Sequence, residues 1–75
     1  MFLVGAELQR EGIGFIEANA VHRGGRVHVT SVILSSIDDL DRFVIWAAKR
    51  DVDFDDARVA TDAEIRAHEQ LQESL

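Results

Sequence analysis

The feature that most narrows the fold of this chain is a pair of adjacent glycines, Gly24-Gly25, set between two apolar alternations. A two-residue hairpin loop of type I′ needs positive φ at both central positions, and two glycines meet that need without strain. Upstream, Ile16, Ala18 and Ala20 alternate with polar residues; downstream, Val27, Val29, Ser31 and Ile33 form the matching series. Pairing His22 with Val27 sets Ala20 opposite Val29, Ala18 opposite Ser31 and Ile16 opposite Ile33, so one face of the hairpin is nearly all apolar. An earlier alternation, Phe2, Val4, Ala6 and Leu8, reads as a further strand joined through Arg10-Glu11-Gly12, with Gly12 at a left-handed position. In that register Ala6 faces Ile16, Val4 faces Ala18 and Phe2 faces Ala20. Both loops aim the same face at one core, and a slip of one residue in either would mix the faces. A three-stranded antiparallel meander is expected.

After Leu34 the period changes. Ser35-Ser36 followed by Ile37-Asp38-Asp39 is a helix start, a hydroxyl cap and then acids at the positive end of the dipole, and Lys49-Arg50 close the helix with cations. At about 100° per residue, Phe43, Ala47, Leu40, Val44, Ile37 and Ala48 share an arc of roughly 140°, the stripe expected to cover the sheet. A short fourth strand fits Ala57 to Ala60. Thr61-Asp62-Ala63-Glu64 is a capping box that opens a second helix from Asp62 to Ser74, whose apolar stripe of Ala63, Ala67, Leu71 and Leu75 is thin. The expected fold class is α+β, in the order β-β-β-α-(β)-α, as a single domain over residues 1–75.

A chain of 75 residues builds a small core, and the usual supplements are disulfides, a metal or a second subunit. No cysteine is present, so disulfides and thiolate metal sites are excluded, and self-association is the device left open. The net charge of -6, from 14 acidic against 8 basic residues, repels phosphate backbones and anionic lipid. Direct nucleic-acid and membrane binding are therefore not expected. Met1 to Ala6 lacks a basic flank and meets Glu7 too soon for a secretory core, so cytoplasm is the expected location.

Asp51, Asp53 and Asp55 match the first positions of a calcium loop, but Asp56 stands where the loop needs glycine and Arg58 where it is apolar. His22 and His28 point to opposite faces of the hairpin, and His68 lies on the second helix, so no metal set forms within one chain. No serine sits in a nucleophile elbow, and Ser35 and Ser36 are explained as caps. No catalytic residue, cofactor or metal is assigned, and the chain is read as a protein other than an enzyme.

The informative oddity is Trp46, the only tryptophan, which lies about 180° from Ile37 on the helix and so opposite the expected sheet-covering stripe. Its angular neighbours are Arg42, Arg50 and Asp39, with Ile45 also off the stripe, and an exposed tryptophan among arginines has the composition of an interface anchor. The competing reading makes Trp46 ordinary core, covered by the C-terminal helix. The leading function is a non-enzymatic protein–protein interaction module with Trp46, Ile45, Arg42, Asp39 and Arg50 as its contact residues. Asp51, Asp53, Asp55 and Asp56 would form an acidic steering surface. A narrower version is a small acidic inhibitor that occupies the groove of a basic or nucleic-acid-binding partner, as phage-encoded inhibitors of host defence do. The alternative is a small-molecule or metal site at a homodimer interface, where His28 from two copies could meet.

Overall fold

The computed structural model describes residues 4–73. It is an α+β fold with the element order α1 (Val4–Arg10), β1 (Phe15–Arg23), β2 (Arg26–Leu34), α2 (Ile37–Arg50), β3 (Asp53–Phe54), β4 (Ala57–Val59) and α3 (Asp62–Glu73). The sheet is mixed. β2 lies at its centre, antiparallel to β1 on one side and parallel to β3 and β4 on the other.

The expected first strand is a helix in the structure. Val4 and Leu8, both buried, are four residues apart, a spacing that one strand face and one helix face share, so their alternation did not discriminate. Ala6, Glu7, Leu8, Gln9 and Arg10 are good helix formers, and Arg10 reaches Glu7 at 3.2 Å one turn away. Gly12 is left-handed as expected, with φ of 73°, but it closes a helix and not a hairpin. The Ile13 N–H donates to the Leu8 carbonyl at 2.9 Å and the Gly12 N–H to that of Gln9 at 3.1 Å, a Schellman closure. Ile13 and Leu8, its hydrophobic partners, are both buried. The part of the expected strand at Phe2 and Leu3 lies outside the described residues.

The β1–β2 hairpin forms around Gly24 and Gly25, at φ 57° and 80°. His22 pairs with Val27 and Ala20 with Val29 as the sequence predicts, and then the register shifts. Thr30 is left without a partner residue, so Asn19 meets Ser31, Ala18 meets Val32 and Glu17 meets Ile33, replacing the expected Ala18–Ser31 and Ile16–Ile33 pairs. Ile16 is the compensating extra residue on β1 before Phe15 meets Leu34. A bulge of this kind reverses the alternation that follows it. Val32 and Leu34 consequently join Val29 on the inner face, at 1%, 0% and 0% exposure, while Ser31 and Ile33 turn outward. The bulge is pinned by polar side chains: Thr30 Oγ1 donates to the Asn19 carbonyl at 3.2 Å and Asn19 Nδ2 to Ser31 Oγ at 3.1 Å.

α2 starts at Ser36, whose Oγ accepts from the Asp39 N–H at 3.2 Å. It ends at Asp51, left-handed at φ 55°, with Val52 N–H donating to the Ala47 carbonyl at 2.9 Å. Its buried residues are Asp39, Phe43, Trp46 and Ala47. That stripe keeps Phe43 and Ala47 from the expected one but is rotated by roughly 80° at the helical pitch. Ile37 and Val44, expected on the sheet, are 70% and 44% exposed. The rotation follows from α1. Val4, Leu8 and Ile13 complete a core cluster with Trp46, Phe43, Val29, Val32 and Leu34, and a tryptophan removes more apolar area from water than an isoleucine in a first helical turn.

β3 and β4 run along β2 at a constant offset, Val29 beside Phe54 and Val32 beside Ala57. The gap between them, Asp55 and Asp56, lies against the bulge. The expected fourth strand is β4, and its direction is parallel because α2 crosses back over the sheet. α3 opens with the expected capping box: Glu64 N–H to Thr61 Oγ1 at 3.2 Å, Thr61 N–H to Glu64 Oε1 at 3.0 Å. It runs past Ile16 and Ile33 on the outer face and leaves a shallow hollow of about 280 Å³ between them. Leu71 remains 68% exposed, so α3 covers only one end of that face.

Candidate functional site

The residues singled out around Trp46 do come together, on a groove between α2, the α1–β1 loop and the hairpin end. Two adjoining hollows share Trp46 and Arg50. The larger, about 330 Å³, has Ile13, Trp46 and Ile45 as its apolar lining and Arg42, Lys49 and Arg50 as its cations, with Glu11 across from them. The other, about 320 Å³, continues past Arg50 to Arg26, Asp51 and Val52. Volumes of this size sit at the low end of ligand sites, and a groove open to solvent suits a segment of chain better than an enclosed small molecule.

The five expected contact residues take three different positions. Arg42, Ile45 and Arg50 form the exposed rim, with Ile45 at 54% exposure. Trp46 is floor, 6% exposed, tilted against Phe43 at a centroid distance of 5.9 Å, so the expected exposed anchor is corrected to core. It is covered by α1 and Ile13, not by the C-terminal helix. Its Nε1 has no hydrogen-bond partner among the described residues, an uncompensated cost for a buried donor. Asp39 is buried and serves as a clamp: Oδ1 accepts from the Gly14 N–H at 2.8 Å, and Oδ2 from the Ser36 hydroxyl at 2.7 Å. A Cβ on Gly14 would stand 3.0 Å from Asp39 Oδ2 and 3.1 Å from Ser35 Oγ, so this close approach requires glycine. Asp39 thereby ties the start of α2 to the start of β1, and it touches the groove only through Arg42 at 3.5 Å.

The cations of the larger hollow are loosely engaged. Arg42–Asp39 and Arg50–Glu11 are both at 3.5 Å, whereas Arg26–Asp51 and Arg58–Glu64, outside the larger hollow, close to 2.7 Å. Sequence reading missed Lys49, taken only as a helix-end cation, Glu11, taken as a hairpin loop residue, and Ile13. The Leu8-x-x-x-Gly12-Ile13 spacing of a Schellman closure is the signal that would have found Ile13.

The expected acidic steering surface is partly spent. Asp51 is paired with Arg26, and Asp55 Oδ2 lies 2.7 Å from His28 Nε2. That contact is short but out of line for a hydrogen bond, so it is electrostatic when His28 is charged. Asp53 and Asp56 are exposed. Among the described residues no group of three or more His, Asp or Glu is placed to hold a metal ion. No described helix is long and apolar enough to cross a membrane.

On the far face, Arg58 makes a two-point pair with Glu64 at 2.7 Å through each nitrogen. The Arg58 guanidinium, then the Thr61 backbone, hold the Glu64 carboxyl down at about 2 from 4.5. The pair fastens β4 to the first turn of α3 and has no part in the groove. No family model, curated protein or solved structure matches the chain.

Proposed function

We propose that the protein is a non-catalytic interaction module that docks a segment of another polypeptide in the Trp46 groove. The observation that carries this reading is the segregation of charge. In a chain of net charge -6, three of the 8 basic residues, Arg42, Lys49 and Arg50, ring one half-exposed isoleucine, and the carboxylates nearest to two of them stand at 3.5 Å. Such a rim attracts acidic side chains, while Ile45 and the edge of Trp46 offer apolar contact, so the fitting segment mixes Asp or Glu with Leu or Phe. The narrower reading, an acidic inhibitor of a basic partner, draws its support from Asp53 and Asp56, since Asp51 and Asp55 already face Arg26 and His28.

The test is selection from a displayed random-peptide library on the intact chain, with counter-selection on an Ile45→Asp/Arg50→Glu variant. Acidic–apolar sequences enriched on the parent and lost on the variant are expected, with binding weakened by salt. Enrichment of basic sequences, or binding indifferent to the variant, would refute the groove as the contact.

A further inference from the structure

We infer that the open edge of β1 pairs antiparallel with β1 of a second copy, about a two-fold axis at Ala20, so that Glu17 of each chain stands opposite Arg23 of the other. Among the described residues no strand pairs with the outer edge of β1, although it is nine residues long. Natural edges of that length are blunted by proline, lysine or inward-pointing charge. β1, Phe-Ile-Glu-Ala-Asn-Ala-Val-His-Arg, has no proline and no lysine, and its inner-face residues Ala18 and Ala20 are uncharged. Its own extra residue, Ile16, is at the far end; the register shift between Asn19 and Ala20 comes from Thr30 on β2, so no residue of β1 from Glu17 to Arg23 is set aside.

The geometry then selects the register. In a hairpin with a two-residue turn, the flanking pair Arg23–Arg26 exchanges both backbone bonds, so alternate residues back along β1, Ala20 and Ala18 among them, turn N–H and C=O to the open side. A two-fold pairing must bring these outward groups together, which allows a centre at any residue from Ala18 to His22, with fewer paired residues as the centre nears the strand end. Glu17, Asn19, Val21 and Arg23 are all exposed on the outer face. Only the Ala20 centre sets Glu17 opposite Arg23, and the symmetry makes that pair twice; the Asn19 centre sets Glu17 opposite Val21. β1 suits self-contact in this acidic chain because its one acid and one arginine cancel and are spaced to meet their mates. Joining two sheets also supplies the second subunit that so small a core invites.

The experiment is sedimentation equilibrium of the full chain from micromolar to millimolar concentration. A rising dimer fraction is expected for the parent. Glu17→Arg and Arg23→Glu should each weaken it by about tenfold or more, since each sets like charges opposite at two places. The double variant Glu17→Arg/Arg23→Glu, with the parent net charge, should restore it. Glu17→Arg is the sharper single variant: by lowering the overall negative charge it would strengthen association that depended on net repulsion alone. Hydrogen exchange at the Ala20 amide should slow as concentration rises. A monomer throughout the range, a dimer untouched by the single variants, or failure of the double variant to restore it would each overturn the pairing. Because none of these positions lines the Trp46 groove, this outcome is independent of peptide docking.

Discussion

The two faces of the sheet are made from the same strands, yet they are held by different physics. On the inner face Val29, Val32 and Leu34 are sealed beneath α1 and α2, and Phe43 touches both Trp46 at 5.9 Å and Phe54 at 5.2 Å. On the outer face Asn19, Thr30 and Ser31 bond one another, His28 meets Asp55, and α3 covers only the end near Ile16 and Ile33. Burial of apolar area sustains the first, and local polar contacts, each worth little where water competes, sustain the second. The difference shows how one bulge residue sorts a strand: with Thr30 set aside, Val32 and Leu34 move to the protected side and Ile33 to the other.

Substitutions at four positions break or sharpen that contrast. The largest effect belongs to Phe43→Ala, which empties the centre of the inner layer where the ring is fully buried; urea unfolding should show a loss of about 3–5 kcal/mol. A loss below about 1 kcal/mol would mean that the inner layer is not the principal core. Next comes Asp39→Ala, which leaves the Gly14 N–H without its acceptor at a part-buried site. The expected cost is about 2–3 kcal/mol by the same measurement, and Asp39→Asn should recover part of it. Thr30→Ala removes the hydroxyl that pins the bulge to Asn19 and should cost about 0.5–1 kcal/mol, with faster exchange at the Ser31 amide as the local signature. Leu71→Ala, on the thinly covered outer side, should change stability by no more than about 0.5 kcal/mol; a cost as large as that of Phe43→Ala would equate the two faces.

The outer face also has a pH signature. The Glu64 carboxyl is lowered from 4.5 to about 2 by Arg58, so its contribution is present in full above the unfolded value and is lost as pH falls from there through 2. Glu64→Gln should flatten the dependence of the melting temperature on pH over that window and lower the melting temperature slightly at neutral pH, where the contribution is present but small because the pair is part-exposed. A parent curve already flat between those values would remove Glu64 as a titrating link between β4 and α3.

Features that a few neighbouring residues decide were legible without coordinates. Gly24-Gly25 announced the hairpin, Ser36 and the Thr61–Glu64 box the two helix starts, and Ala57 to Ala60 the short strand, because each depends on backbone dihedrals or hydrogen bonds spanning at most a few positions. The candidate site was half legible. Arg42, Ile45, Trp46 and Arg50 do share one hollow, since helical spacing alone brings them to adjoining angles. That Trp46 is the floor and not the anchor was beyond the sequence, because its angular position says which residues lie together and not which side meets the core.

Tertiary structure decided the rest. Whether Val4 and Leu8 belong to a strand or a helix, whether Thr30 stands in or out of register, and which arc of α2 is buried are all choices between local states of similar energy. Each was settled by contacts between residues far apart in the chain: α1 on Ile13 and Trp46, Val32 and Leu34 under Phe43, and Asp39 on Gly14 across 25 positions. Local propensity supplies tenths of a kcal/mol per residue, roughly, and the burial of a single large side chain supplies about 1.5–3 kcal/mol, so where the two disagree the packing prevails.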